Sequence, residues 1–432
     1  MKIYLDTIGC RLNQAEIENY ARQLYAAGHE LVAASSEADW IIVNTCAVTS
    51  AAAADSRAKI RQAARSGNAQ IVVTGCWSSL QPEQAASLPG VRHVVANPHK
   101  DQLVQEIFSV PLETFDLEPV ARTPLPGARL RTRAFIKVQD GCDNRCTFCV
   151  TTLARGAGRS RSIREVLADI QSALQPGKSQ AREIVLTGVH LGSWGQDFAR
   201  PDRLKNLIQA ILSETDVQRL RLSSLEPWDL DEAFFELWAD PRLCRHLHLP
   251  LQSGSPATLR RMARKTTPAS YARLLETARR VIPQVAITTD IITGFPGESQ
   301  SEFDESLAFV KAMRFAGGHV FTYSERPGTA AARLPDQVAY ELRKERNALM
   351  RAALKVAEQE YQAAFIGEVL PVLWESASAL DAQGWSVSGL TDNYLRVQAY
   401  AARQLWNEIT PVRLLAPARE GLRGQLIDAA EG

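Results

Sequence analysis

The chain has 432 residues, of which 45% are apolar and 22% charged, and a formal net charge of +1. This composition excludes a disordered or fibrous polypeptide, and the length exceeds what one ordinary core serves, so two or three domains are expected. No run of about 18 uncharged apolar residues occurs and "MKIYLDTIG" enters a strand directly, which reads as a cytoplasmic protein with no membrane partner.

Residues 1–110 alternate strand and helix. "KIYLDTIG", "DWIIVNTC", "AQIVVTGC" and "VRHVVAN" are apolar strands, separated by helical segments such as "NQAEIENYARQLYAAG" and "SAAAADSRAKIRQAARSG". That order predicts a parallel sheet with helices on its faces, whose ligands lie beyond the carboxyl ends of the strands. Three of those ends stop on cysteine: Cys10, Cys46 and Cys76. Each alone can be a buried small residue, but three thiols delivered to one rim make a candidate metal site.

Residues 111–133, rich in Pro and Arg without periodicity, mark a linker. Six further strands follow over 134–366: "FIKVQDG", "EIVLTGV", "RLRLSSL", "HLHLPLQ", "AITTDIITGF" and "GHVFTYS". Alternating with helices, they predict a partial (β/α)6 barrel with too few units to close, again functional at its carboxyl edge. From Gly367 to Gly432 short strands with Gly and Asn turns predict a small all-β, OB-like barrel. The fold class is thus α/β in its first two units with an all-β third.

"DGCDNRCTFCV" sets Cys142, Cys146 and Cys149 at CxxxCxxC spacing just after the first barrel strand. Three local thiolates suit an iron-sulfur cluster, and in a 4Fe-4S cluster they leave one iron without a protein ligand. Structural zinc, the alternative, normally wants a closed set of four Cys or His ligands, and the nearest histidine in sequence is His190. Cys244 stands alone and reads as a small buried hydrophobe. His246 and His248 share one strand face and read as hydrogen-bonded barrel residues. "GFPGE" (Gly294 to Glu298) lacks the Lys and Ser/Thr of a phosphate loop and reads as a turn.

Charge is uneven along the chain. Arg122–Arg164 carries ten Lys/Arg against two acids, and Arg242–Arg280 carries nine against one. Two basic stretches suggest a polyanionic partner. The small barrel holds five Arg and no Lys against eight acids, so phosphate contacts are expected from the basic stretches, with Trp385, Tyr394 and Tyr400 as candidates for stacking on bases or for core packing.

The CxxxCxxC segment, with Phe148 before its last cysteine, resembles the signature of radical S-adenosylmethionine (SAM) enzymes. The whole chain resembles the methylthiotransferases through "GCRLNQAE", "NTCAVT", "TGC", "RGAGRSRS", "LTGVHLG", "HLPLQSGS", "TTDIITGFPGE" and "YSERPGTAA". Of these, "GCRLNQAE", "TGVHLG" and "HVFTYSERPGTAA" are most similar to the branch acting on N6-threonylcarbamoyladenosine at position 37 of tRNA. The isopentenyladenosine branch usually reads "GCQMN" and "TGQNV", and the ribosomal-protein branch "GCPKN".

The resemblance implies an N-terminal methylthiotransferase domain (1–110), a radical SAM domain (134–366) and a C-terminal TRAM domain (367–432). It implies two 4Fe-4S clusters, on Cys10, Cys46 and Cys76 and on Cys142, Cys146 and Cys149, with SAM as cosubstrate used twice per turnover. One SAM would methylate a cluster-bound sulfur; the other would give the radical that takes hydrogen from adenine C2. Phe148, Thr187, Gly188, Glu226 and Gln252 would contact SAM. The implied partners are tRNA, an electron donor such as flavodoxin and a sulfur source, with the enzyme a monomer. The alternatives are the isopentenyladenosine or ribosomal-protein substrate and, in another class, a non-catalytic RNA-binding protein held by a structural metal.

Overall fold

The computed structural model describes residues 1–109, 132–177, 180–381 and 384–427. Of the expected linker only Thr132 and Arg133 fall among the described residues. The amino-terminal sheet contains strands β1 (Lys2–Thr7), β2 (Glu30–Leu31), β3 (Trp40–Thr45), β4 (Gln70–Gly75) and β5 (Val91–Val95), all parallel in the order β2-β1-β3-β4-β5. Ile41 and Val43 face one apolar cluster and Ile42 the other, because alternate residues of a strand point to opposite faces.

Helices cover both faces: α1 (Arg11–Ala26), α2 (Ser50–Arg65), α3 (Cys76–Leu80), α4 (Pro82–Ala86) and α5 (Leu103–Phe108). Helix α2 starts where it does because the Thr49 hydroxyl accepts the Ala52 amide at 3.1 Å, satisfying one of the otherwise unpaired first-turn donors. Helix α1 has two dockings. Ile17, Tyr20 and Leu24 pack on its own sheet, and Ala15 packs on Phe135 and Val185 of the next unit.

That unit begins with β6 (Arg133–Lys137). The short strands β7 (Gln139–Asp140) and β8 (Arg159–Ser160) then pair antiparallel and close the cysteine loop between them, which also carries α6 (Thr151–Arg155). Next come β9 (Glu183–Thr187), β10 (Leu220–Leu222), β11 (His246–His248), β12 (Ala286–Thr293) and β13 (Gly317–Thr322). The six expected barrel strands form two parallel three-stranded sheets, β10-β9-β6 and β11-β12-β13, bridged at Leu220–Leu243 and Ser224–His248. One continuous apolar core underlies both. The "GFPGE" segment is a turn: the Glu298 carboxylate accepts the Gly294 amide at 2.9 Å and pairs with Arg346 at 2.8 Å.

After a long helix (Tyr340–Ala363), strands β14 (Val369–Asp381), β15 (Gly384–Thr391), β16 (Arg396–Ala401), β17 (Ile409–Pro417) and β18 (Leu422–Leu426) close a barrel in the order β14-β15-β16-β18-β17. Three arginines of the central unit hold it. Arg219 donates to the Leu390 and Pro371 carbonyls at 3.0 and 2.7 Å, Arg221 to the Asp392 and Thr391 carbonyls at 3.0 and 3.2 Å, and Arg245 pairs with the Asp392 carboxylate at 2.6 Å.

Arg221 and Glu183 form an ion pair at 2.6 Å with no exposure of either side chain. Cys244 lies beside them; burial pushes its thiol up to about 12, matching the expected inert hydrophobe. An Arg221→Met variant would leave Glu183 as an uncompensated buried charge, so urea denaturation should show a loss of about 3–5 kcal/mol.

Candidate active site

Each cysteine position follows from local backbone requirements. Gly9, before Cys10, has φ +106°, and a Cβ there would stand 2.7 Å from Cys46 Cβ and 2.8 Å from Cys46 Sγ. The end of β1 therefore reaches the end of β3 only with glycine. In the other unit Gly141, before Cys142, has φ +73°, and a Cβ would meet the Ala157 carbonyl oxygen at 1.9 Å. Cys46 and Cys76 are buried and Cys10 exposed. Burial pushes the Cys46 thiol up, and its neighbours Cys10 and Cys76 push it further.

Cys142, Cys146 and Cys149 sit in a loop braced by Thr147. Its hydroxyl donates to the Arg261 carbonyl at 2.8 Å, its amide to the Met262 carbonyl, and its carbonyl accepts the Ala331 amide. Phe148 packs edge-on against Phe295 with centroids 6.4 Å apart. Among the described residues no three His, Cys, Asp or Glu side chains gather tightly enough for a single ion; a cluster of several irons spaces its thiolates more widely.

The sulfurs carry donors. Arg155 Nε donates to Cys76 Sγ at 3.3 Å, the Asn144 amide to Cys142 Sγ at 3.4 Å and Arg264 Nη1 to Cys146 Sγ at 3.7 Å. Donors aimed at sulfur stabilise thiolate, the form that binds iron, so both triads fit a 4Fe-4S cluster. Arg264 is itself held by both Glu226 oxygens, at 3.1 and 2.6 Å, and lies over the Trp228 ring. Burial alone would lower His190, but Asp229, at 2.6 Å, and Cys142 hold its pKa up to about 9.

Arg155 also joins the two units. From α6 it donates to Asn13 Oδ1 at 2.7 Å and pairs with Glu16 at 2.9 Å and Asp140 at 2.8 Å. Lys100 pairs with the same two acids and reaches Asn97 at 3.1 Å. Lys137, also buried, approaches Asp140 at 3.7 Å, so three bases surround the two acids. Burial alone would raise the Glu16 carboxyl; Arg155 and Lys100 hold it down to about 2.

Of the expected SAM contacts, Thr187 ends β9 and its carbonyl accepts the Val138 amide, while Gly188 lies against Gln139. Gln139 in turn braces the Gly141 carbonyl and the His190 amide at 2.8 and 2.9 Å. Gln252 sits at φ +72° beside Ile291. Sequence reasoning did not single out Asn13, Glu16, Asn97, Lys100, Arg155, His190 or Arg264. Asn13 and Glu16 lie inside the motif "GCRLNQAE", Arg155 opens "RGAGRSRS" and His190 belongs to "LTGVHLG".

The basic stretches behave differently from their sequence. Arg133, Lys137, Arg155, Arg161, Arg242, Arg245, Arg261, Arg264 and Arg280 all enter ion pairs with acids mostly far along the chain. Arg145, Arg164, Arg260, Lys265 and Arg273 are exposed. Tyr394 is taken by a stack on His246, centroids 4.0 Å apart and planes at 3°, whereas Trp385 packs on the small barrel's core and Tyr400 stays exposed.

Residues 2–96 match the Uncharacterized protein family UPF0004 and residues 136–310 the Radical SAM superfamily. A radical SAM methyltransferase, TsrM of Kitasatospora setae, superposes with a TM-score of 0.59 at 17% identity, over 77% of this chain and 75% of that one. The fold and the cysteine loop define a radical SAM protein. The chain is 34% identical to the threonylcarbamoyladenosine tRNA methylthiotransferase MtaB of Bacillus subtilis, over 98% of this chain and 96% of that one. It is equally similar to its Thermotoga maritima counterpart over 100% and 98%, and 31% identical to a tRNA-2-methylthio-N(6)-dimethylallyladenosine synthase of Cereibacter sphaeroides over 99% and 98%. It belongs to the radical SAM tRNA methylthiotransferase family.

Arg155→Met should strip Glu16 and Asp140 of the guanidinium that pairs with both, leaving them Lys100 and the more distant Lys137, and cost about 3–5 kcal/mol in urea denaturation of anaerobically purified protein. Because the folded Glu16 pKa lies below its ordinary 4.5, its contribution is complete above pH 4.5 and is lost as pH falls toward 2. A Glu16→Gln variant should therefore be less stable at neutral pH and show a flatter stability profile across that window.

Proposed function

We propose that this enzyme adds a methylthio group to C2 of N6-threonylcarbamoyladenosine at position 37 of tRNA. Residues 1–110 serve as the auxiliary-cluster unit, 134–366 as the radical SAM unit and 367–432 as a TRAM unit. Cys10, Cys46 and Cys76 hold one 4Fe-4S cluster and Cys142, Cys146 and Cys149 the other. The observation that carries this reading is Arg155, which donates to Cys76 while pairing with Asp140, two residues before Cys142. One side chain thereby ties the two cysteine-bearing edges together.

When bound, the clusters and SAM supply the radical and the methylated sulfur. The chain's own residues position them: Arg155 and Arg264 orient Cys76 and Cys146, Gln139 and His190 fix the loop around Cys142, and Glu226 holds Arg264 in place. Phe148, Thr187, Gly188, Glu226 and Gln252 contact SAM. Holding both reactants in one chamber replaces an encounter in solution with a fixed approach.

Exposed cations such as Arg145, within the cysteine loop, and Lys265, beside Trp228, meet the tRNA backbone. Motif resemblance supports the remaining assignments: a cytoplasmic monomer drawing electrons from a donor such as flavodoxin and sulfur from a separate source. No helix among the described residues is long and apolar enough to cross a membrane.

Anaerobic reconstitution should load about eight irons per chain, the content of two 4Fe-4S clusters. A variant with Cys10, Cys46 and Cys76 all changed to Ala should hold about half, still cleave SAM reductively and make no methylthio nucleoside. Nucleoside mass spectrometry of tRNA from a strain lacking the protein should show 2-methylthio-threonylcarbamoyladenosine gone; its persistence, with the dimethylallyl analogue lost instead, would move the substrate to the other branch.

A further inference from the structure

The inner face of the six-stranded barrel carries a charge arrangement that the cysteine triads do not use. His246 and His248 both meet the Thr288 hydroxyl at 2.9 Å, as expected of barrel histidines on one strand face. Asp290 gives one oxygen to His248 and the other to His319, each at 3.3 Å. That carboxylate is thus flanked by imidazoles on both oxygens. His319 still presents most of its side chain to solvent, 76% exposed, and Phe321, two residues along the same strand, is 42% exposed.

Into this region reaches Arg11, the first residue of α1 and the neighbour of Cys10. Its Nη2 donates to the Tyr394 hydroxyl at 2.9 Å. The ring of that tyrosine stacks on His246, centroids 4.0 Å apart, which places the guanidinium beside the barrel face. Tyr394 is fixed for this contact: it sits at φ +67°, stacks on His246 and lies against Arg221 at 5.2 Å. Among the described residues the Arg11 guanidinium forms no ion pair, and its hydrogen-bond partner is a neutral hydroxyl. Nη1 and Nε remain for a ligand, and a guanidinium's planar fork matches a carboxylate.

We infer that Arg11, held by Tyr394 beside the barrel histidines, is the subsite for the carboxylate on the N6 substituent of the substrate adenosine. The inference rests on the threonylcarbamoyladenosine reading, since that substituent ends in an amino-acid carboxylate. A dimethylallyl substituent has no charge and would leave the half-buried cation unpaired, the arrangement by which a polar site rejects an apolar analogue. Arg11 is in this account a specificity residue, and Tyr394 a positioning residue that acts through it.

The test uses cluster-loaded enzyme and anticodon stem-loop RNA bearing threonylcarbamoyladenosine, its carboxylate methyl ester, or unmodified adenosine, with dissociation constants read by fluorescence anisotropy. Loss of a charge-assisted pair is expected to weaken binding about tenfold to a hundredfold. Arg11→Gln, at wild-type iron content, should lose that factor for the carboxylate RNA and bind it no better than the adenosine RNA, while Arg11→Lys, which keeps the charge without the fork, retains part of the discrimination. The methyl ester should show the same loss on wild-type enzyme, a measurement that stands even if a variant fails to load iron. Equal weakening of all three RNAs by Arg11→Gln would reveal a phosphate contact or a structural role and overturn the inference, as would no weakening of any. Failure of wild-type enzyme to methylthiolate the threonylcarbamoyl stem-loop at all would instead strike the functional reading, a separate outcome from either.

Discussion

A guanidinium, an ammonium and two carboxylates, shut away from water, hold the amino-terminal sheet against the barrel. Arg155 and Lys100 each pair with Glu16 and Asp140, and the side chains of Arg155, Lys100 and Glu16 are no more than 1% exposed. Ions so deeply desolvated are tolerable only in a fixed arrangement, since each loses its hydration and regains it only through its partners. Apolar packing of Ala15 on Phe135 and Val185 would by itself permit sliding. The ion knot does not: shifting α1 by one residue would separate Glu16 from both cations. Register between the two units is therefore set by charge, while burial supplies the adhesion.

That register has chemical consequences because its members border the cysteines. Asp140 precedes Gly141 and Cys142, Arg155 donates to Cys76, and Asn97 ties the Ala154 carbonyl to the neighbourhood of the same sulfur. An arginine stands at each triad, Arg155 donating to Cys76 and Arg264 to Cys146, so each set of sulfurs carries a cationic donor. A second tie runs from Arg326, which donates to the Ala47 carbonyl beside Cys46 and to Ser50. The loop "SERPGTAA" thus belongs to the frame of the amino-terminal triad as much as to the barrel that supplies it.

Much of the fold was legible in the sequence because buried parallel strands are nearly continuous apolar runs. "DWIIVNTC" and "AQIVVTGC" announced both their strand and its end, and the five short strands after Gly367 did the same for the small barrel. Cysteine positions were legible for the same reason, as they terminate those strands. Arg155 was not: within a segment holding ten cations it looked like surface charge, and its partners lie 15 and 139 residues away in sequence. Linear charge density cannot tell such residues from exposed ones like Arg145, since it ignores acids such as Glu16, Asp169 and Glu375 that fold back to neutralise part of it. Tyr394 was hidden in another way, because an aromatic on a barrel loop gives no sign that it will stack on a histidine of a different unit.

Anomalous scattering at the iron edge, from crystals of anaerobically reconstituted protein, tests the central claim most directly. The account predicts two iron clusters in one chain, one at Cys10, Cys46 and Cys76 and one at Cys142, Cys146 and Cys149, facing a common cavity with Arg155 between their supporting loops. A single cluster, or two opening onto opposite sides of the molecule, would contradict it.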